Sequence, residues 1–230
     1  MNFLLKLLFI IVVSVGSIEA NDGFDGEYDL QEYSSVDPLK PYNQAMTYIN
    51  DKIYTHALTP IAKGYENILA EDIRSGILNA FNNLLFPINF INNLLQLKVA
   101  NSMDEVVRFL INTTLGFGGL KDVARDNFAI MSHKEDFGQT LGHYGVGDDI
   151  YIVLPILGPS NLRDIVGGGV DFYTDPLSYV NYSVYYRGYR GFNNYSYDYK
   201  LYDEVKKDSI DIYPMLKSIY EQNRKQKILE

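Results

Sequence analysis

The 230 residues contain no cysteine, which excludes a disulfide framework, a thiolate zinc site, a cysteine nucleophile and a cysteine-attached lipid. Positive charge is scarce as well: 20 Lys+Arg stand against 29 Asp+Glu, a net charge of -9. That balance would repel a phosphate backbone, so no nucleic-acid partner is expected. Catalytic patterns are also missing. His56, His133 and His143 share no ligand spacing, so no metal site is expected. Ser160 lies in Gly158-Pro159-Ser160-Asn161-Leu162 and lacks the second glycine of a nucleophile elbow. Gly167-Gly168-Gly169 is not followed by the Lys-Ser/Thr of a phosphate loop. Asp148-Asp149 near His143 are adjacent acids in a Gly-rich turn, the usual setting of solvated carboxylates. The expectation is a protein without cofactor and without covalent chemistry. There is no internal repeat of useful period.

What is present points to a folded, exported chain. Apolar residues make up 47% and charged residues 21%, a globular balance, and the length suits one domain. Residues 1–20 read as a secretory signal: Lys6 gives the positive start, Leu7 to Val15 is an uncharged, largely apolar run, and Ala20 offers a small residue before a cut. That run is too short to cross a bilayer, which needs about 20 residues. Residues 21–36 follow as an acidic, flexible leader with Asp22, Asp25, Glu27, Asp29 and Glu32. Residues 37–230 form the folded domain.

Within that domain, Asp37-Pro38 marks the start of a helix on which Tyr42, Ala45, Met46, Ile49, Ile53 and Tyr54 recur at spacings of three and four. Pro60 is expected to break it before a second short helix. Ser75 to Leu97 runs without a charge for the length of a membrane span. It carries Asn79, Asn82, Asn83, Asn89, Asn92, Asn93 and Gln96, however, and Pro87 in its middle. Such amides are costly against lipid tails, so two shorter helices meeting near Pro87 are expected, with the amides turned toward protein or water. Ser102 and Glu105 read as a capping box opening the next helix. Gly116-Phe117-Gly118-Gly119 ends it as a C-cap or a hinge. Lys121 to Asp136 reads as a short helix and loop. Phe137 to Gly147, then Tyr151 to Leu154 and Gly158 to Ser160, read as an extended Gly-rich loop or hairpin. Asn161 is expected to cap a helix interrupted at Gly167 to Gly169. Nine tyrosines between Tyr179 and Tyr202 suit an aromatic surface or an interfacial belt, and a charged helix closes the chain.

Asp37-Pro38-Leu39 with Asn43, the string Arg108 to Ala124, the string Phe137 to Gly147, Leu154-Pro155 and Arg163-Asp164 together resemble the MlaA/VacJ family of outer-membrane proteins. The likeness runs from about Asp37 to Pro176. It implies a mainly α, ring-like assembly of amphipathic helices in the outer membrane, with an amphipathic channel. It further implies removal of phospholipids mislocalised to the outer leaflet, hand-off to a soluble periplasmic carrier, and association with porin trimers. Leu141, Tyr144, Val146, Tyr151, Leu154 and Pro155 match the family's loop beside the channel and are expected to border the lipid path. Gly116, Gly118, Gly119, Gly145 and Gly147 are expected to act as hinges. The cysteine that family members commonly lipidate is missing, so retention would rest on embedded helices or a partner. A soluble periplasmic module of the same fold is the alternative, and a lipid hydrolase has little support.

Overall fold

The computed structural model describes residues 37–147 and 150–230, and the expected signal, leader and Asp148-Asp149 lie outside the described residues. In chain order the elements are α1 (Lys40–Ile53), a π-helical turn (Tyr54–Leu58), α2 (Thr59–Ile68), α3 (Glu71–Leu84), α4 (Phe86–Leu95), α5 (Val99–Thr114), α6 (Val123–Phe128) and α7 (Phe137–His143). Then come β1 (Tyr151–Leu154), β2 (Gly158–Asn161), α8 (Leu162–Thr174), a 3-10 turn (Pro176–Tyr179), α9 (Ser183–Asp208) and α10 (Ile212–Leu229). The protein is thus mainly α, with a two-stranded antiparallel sheet. Two compact units divide the described residues: the first takes 37–68, 150–162 and 184–230, the second 69–147 and 163–183.

In the first unit α1 forms where the 3.6-residue pattern places it, but the face it buries is the polar one. Asn43, Thr47, Asn50 and Asp51 are buried while Tyr42, Tyr48 and Ile49 are exposed. Just ahead of the helix, the Asp37 carboxylate accepts the Leu39 amide at 3.2 Å. Pro60 does not break the helix. The Thr59 amide bonds the Tyr54 carbonyl in a π turn, and this wider turn just before Pro60 absorbs a residue that would otherwise meet the carbonyl four positions back. The β1–β2 hairpin pairs Tyr151 with Asn161 and Leu154 with Gly158. Two aromatic clusters fill the interior. Tyr54, Ile156 and Tyr202 form one, and Tyr151, Val153 and Tyr213 form the other.

In the second unit α3 and α4 meet at Leu85, with Pro87 in the first turn of α4, where its missing N–H has no partner to lose. No helix among the described residues is long and apolar enough to cross a membrane. Three expectations are corrected here. Ser102 and Glu105 are not a capping box. The helix begins at Val99, and Ser102 donates to the Phe90 carbonyl of α4 at 3.2 Å. Phe137 to His143 is helical rather than extended, because Asp136 caps it by accepting the Gln139 amide at 2.7 Å. Gly167 to Gly169 do not interrupt α8. Gly167 is where α7 and α8 touch: a Cβ there would lie 2.4 Å from the Gly138 nitrogen. Those glycines permit close approach between helices instead of ending one.

Candidate functional site

The second unit is built around amides and charges. On α4, Asn89, Asn92, Asn93 and Gln96 recur at i, i+3, i+4 and i+7, and all are buried. On α5, Ser102, Glu105, Arg108 and Asn112 form the matching buried stripe. Among the described residues of this unit, Ala124 and Leu177 are the buried apolar residues. A buried amide without partners would cost several kcal/mol, and here each NH2 group finds one, while the side-chain oxygens of Asn93 and Gln96 have none. Asn92 donates to Asp171 at 2.9 Å and accepts from the Thr140 hydroxyl at 2.9 Å. Asn93 donates to the carbonyls of Asn89 at 2.9 Å and His133 at 2.7 Å.

Two carboxylates gather the donors. Glu135 accepts Gln96 at 2.8 Å and Gln139 at 2.7 Å, and pairs with Lys98 at 2.7 Å. Glu105 accepts Asn89 at 3.3 Å, the Ser132 hydroxyl at 3.1 Å and the His133 amide at 2.6 Å. At the end of α5, Arg108 grips Asp122 through two bonds of 3.0 and 2.8 Å and also donates to the Ile130 carbonyl. Asn112 adds a bond to Asp122 at 2.9 Å and accepts the Ala124 amide at 2.9 Å. Fork geometry of this kind is rigid and strong.

The outer surface of the same helices is apolar. Leu94, Leu95 and Leu97 on and after α4 are exposed, as are Val99, Met103, Val107 and Leu110 on α5, and Val166 and Val170 on α8. A pattern of polar inside and aliphatic outside is the reverse of a helix packed for water.

The expected lipid-path residues separate. In the second unit Leu141 is half-buried, Tyr144 is 60% exposed and Val146 is 46% exposed. The Tyr144 hydroxyl donates to the Leu95 carbonyl at 2.5 Å, and the Val146 carbonyl accepts from Arg163 at 3.4 Å. In the first unit Leu154 is half-buried and Pro155 exposed. Tyr151 is only 4% exposed. Its ring packs against Tyr213 and Tyr220 and under the Lys217 ammonium, so it fills a core.

The glycines also divide. Gly118 and Gly145 have left-handed φ of 73° and 83° with open space where a Cβ would go. Gly119, at φ 91°, would place a Cβ 2.6 Å from the Asn83 Cβ, and one on Gly116 would meet the Lys121 carbonyl at 2.3 Å. Gly116 and Gly119 therefore sit in a packed helix end, where the Gly118 and Gly119 amides bond the Thr113 and Asn112 carbonyls. Gly147 is exposed.

Sequence reasoning missed a second device, in the first unit. Asn43 donates to the Tyr151 carbonyl at 3.0 Å and accepts the Val153 amide at 2.8 Å. Two helical turns on, Asn50 donates to the Leu154 carbonyl at 2.8 Å and accepts the Ile156 amide at 2.7 Å. Two side-chain amides thus satisfy the free edge of β1 as a neighbouring strand would. The i, i+7 spacing of these asparagines is visible in the chain, as is the 89/92/93/96 stripe, and period alone could have found both. Glu105, Arg108, Asp122 and Glu135 were missed because they are scattered in sequence. Among the described residues no group of three or more His, Cys, Asp or Glu is placed to hold a metal ion.

Fold and site together define a mainly helical protein in which one unit has an aromatic core and the other a hydrogen-bonded polar interior with aliphatic side chains exposed. The MlaA lipoprotein family model matches residues 35–227, and the chain belongs to that family. It is 34% identical over 192 residues to an uncharacterised protein of Rickettsia typhi, covering 82% of this chain and 76% of that one. It is 37% identical over 137 residues to the intermembrane phospholipid transport system lipoprotein MlaA of Haemophilus influenzae, covering 59% of this chain and 55% of the relative. The Escherichia coli protein of the same name is 34% identical over 151 residues, at 64% and 60% coverage. A solved structure reported as the structural basis for maintenance of bacterial outer membrane lipid asymmetry superposes with a TM-score of 0.75 at 30% identity, covering 84% of this chain and 98% of that one.

Proposed function

We propose that this protein is the outer-membrane component of an intermembrane phospholipid transport system. It removes mislocalised phospholipids from the outer leaflet and passes them to a soluble periplasmic carrier, without covalent chemistry. The observation that carries the reading is the second unit's inverted packing. Its buried carboxylates and most of its buried amide groups bond within the protein, so lipid against its aliphatic surface leaves that interior network intact. Its exposed aliphatics gain about 1 kcal/mol each when a half-exposed leucine leaves water. The unit can therefore reside in a bilayer without any single helix long enough to span it.

In this reading the lipid slides along residues and is never bonded to them. Leu141, Tyr144 and Val146 offer a surface with both an apolar body and a polar tip, suited to a molecule with tails and a headgroup. Gly145 leaves their segment free to adjust. Tyr151 acts one step removed, by holding the hairpin. Leu154 and Pro155 stay on the proposed path, and a porin trimer is the expected neighbour in the membrane.

The test is removal of the gene in its own host followed by complementation. Loss should raise outer-leaflet phospholipid, read as substrate released by an added extracellular phospholipase, and the intact gene should restore the low level. Unchanged lipid asymmetry in the deletion strain would overturn the proposal. Purification in mild detergent should also bring phospholipid with the protein, detected by mass spectrometry. Recovery of the whole population in the periplasmic fraction would favour a soluble module instead.

A further inference from the structure

Two buried arginines of the second unit spend their guanidinium groups differently. Arg108 holds a two-bond fork on Asp122 and a further bond to the Ile130 carbonyl. Arg163, in the first turn of α8, has a side chain only 3% exposed and is attached more loosely. Its Nε donates to the Asp164 carboxylate at 3.1 Å, and Nη1 reaches the Val146 carbonyl at 3.4 Å. Its Nη2 is buried and has no hydrogen-bond partner. A guanidinium carries five N–H donors and keeps its charge, so burying one with donors to spare is costly until an acceptor arrives.

The loosest of these attachments falls on the proposed lipid path. Val146 is 46% exposed, and Gly145 before it has a left-handed φ of 83° with open space where a Cβ would go. The Val146 carbonyl, held by one long bond, can therefore give way to a stronger acceptor. A phosphate suits the free edge of the arginine best, because it takes two N–H groups at once.

Asp164 then sets the charge that can be accepted. Its carboxylate, on a side chain 13% exposed, already balances Arg163. A ligand with a net negative charge would leave one charge unbalanced where water is largely excluded. A headgroup that carries both a phosphate and an ammonium adds no net charge. It sets the phosphate on Arg163 and the ammonium on Asp164, two charge-assisted bonds of opposite sense on adjacent side chains. A primary ammonium fits this role and a quaternary one does not, since only the former has N–H groups to donate.

We propose that Arg163 and Asp164 recognise a zwitterionic phosphoethanolamine headgroup, whose phosphate takes the place of the Val146 carbonyl on Arg163. This rests on the reading that the protein carries phospholipid, and it names the headgroup preferred. Leu141, Tyr144 and Val146 meet acyl chains that differently headed lipids share, so they do not make that choice.

Full-length protein in mild detergent is incubated with equimolar phosphatidylethanolamine and phosphatidylglycerol of identical acyl chains. It is then repurified, and the retained lipids are counted by mass spectrometry. The wild type should retain phosphatidylethanolamine roughly fivefold over phosphatidylglycerol. Asp164→Asn keeps the shape and gives the pair a net positive charge, so the ratio should fall to one or below. Arg163→Gln removes the partner of the phosphate and should lower both lipids severalfold. The ratio is read within one sample, so Asp164→Asn decides the matter even where Arg163→Gln fails to fold.

Equal retention of the two lipids by the wild type would overturn the headgroup assignment and leave the transport reading standing. A ratio that Asp164→Asn leaves unchanged would do the same. Millimolar inorganic phosphate that strips the bound phosphatidylethanolamine would assign the site to free phosphate, and would overturn it too. A wild type that retains no phospholipid would break the transport reading, and this inference with it.

Discussion

The two units bury the same residue type for different ends. In the first, Asn43 and Asn50 bond a strand edge, and tyrosine rings fill the space around them. In the second, Asn89, Asn92, Asn93 and Gln96 bond carboxylates, carbonyls and one another's helices, and almost nothing apolar is inside. The first unit thus keeps an aromatic core of the kind that folds in water. The second replaces the core with a polar network and gives its aliphatic side chains to the outside. What the difference teaches is that a 3.6-residue period identifies a helix but not which face turns inward; the surrounding phase decides that.

The sharpest way to break the comparison is at Arg108. Arg108→Met removes the fork on Asp122 and leaves a buried carboxylate without its cation, an expected loss of about 3–5 kcal/mol. Denaturant titration in detergent should show the second unit unfolding first. The double change with Asp122→Leu should recover a good part of that loss. If Arg108→Met leaves stability unchanged, the polar network is not what holds this unit.

Next in size is Asn50→Leu, which strands the Leu154 carbonyl and the Ile156 amide of the hairpin at about 2–4 kcal/mol. Hydrogen exchange at Ile156 should speed up while amides of α4 and α5 keep their protection. A uniform loss across both units would mean that the clamp is not local to the first.

The apolar exterior is tested by placing a lysine on each unit. Leu110→Lys on α5 should weaken partition into vesicles by about 2 kcal/mol while leaving the fold intact. Tyr48→Lys, at an exposed site on α1, should leave partition nearly unchanged, since that residue is not part of the inverted surface. Equal losses at the two sites, measured by flotation, would erase the distinction between the units.

Much of the architecture was legible in the chain. Pro87 and the amides around it marked two short helices, and the period of Tyr42 to Tyr54 marked α1. What was not legible was orientation. The spacing of the apolar residues marks α1 as a helix, yet Asn43, Thr47, Asn50 and Asp51 are its buried residues, with the Asn43 and Asn50 amides bonded to the hairpin edge. Ser102 and Glu105 have the spacing of a capping box, and only the contact with Phe90 and the loop at His133 shows why they lie inside the helix. At 138 and 167 glycine marks close approach between two helices, which leaves the same residue type as a turn, whereas Gly168 and Gly169 face open space. Of the expected lipid-path residues, chain position could not tell that Tyr151 and Tyr144 belong to different units.

The aromatic core carries a pH signature on the alkaline side. Burial, with the nearby charges of Asp203, Asp198 and Asp51 adding to it, outweighs the bond from Thr59 and pushes the Tyr195 hydroxyl up to about 12. Burial also raises Tyr54 and Tyr202 above their ordinary value. A raised tyrosine pKa means that the folded state holds its proton more tightly, so this stability is fully present below pH 10 and is lost as pH rises from there toward the folded values. Alkaline titration should therefore loosen the first unit above pH 10, seen as phenolate absorbance appearing together with loss of its near-ultraviolet dichroism. Tyr54→Phe, which removes the 2.5 Å bond to the Ile156 carbonyl, should cost about 1 kcal/mol at neutral pH and flatten part of that alkaline loss.

The smallest change separates freedom from fit among the glycines. Gly145→Ala meets no atom but must keep a left-handed φ of 83°, so it should cost about 1 kcal/mol. Gly119→Ala shares the backbone strain and adds the clash with Asn83, so it should cost distinctly more. The two positions then differ in what their loss does to transport. If Gly145 serves as a hinge beside Tyr144 and Val146, alanine there should raise outer-leaflet phospholipid beyond what the same small destabilisation does at Gly118, which is equally open. Matching effects at the two sites would assign Gly145 to the turn alone, and the path would then have to open elsewhere along the second unit.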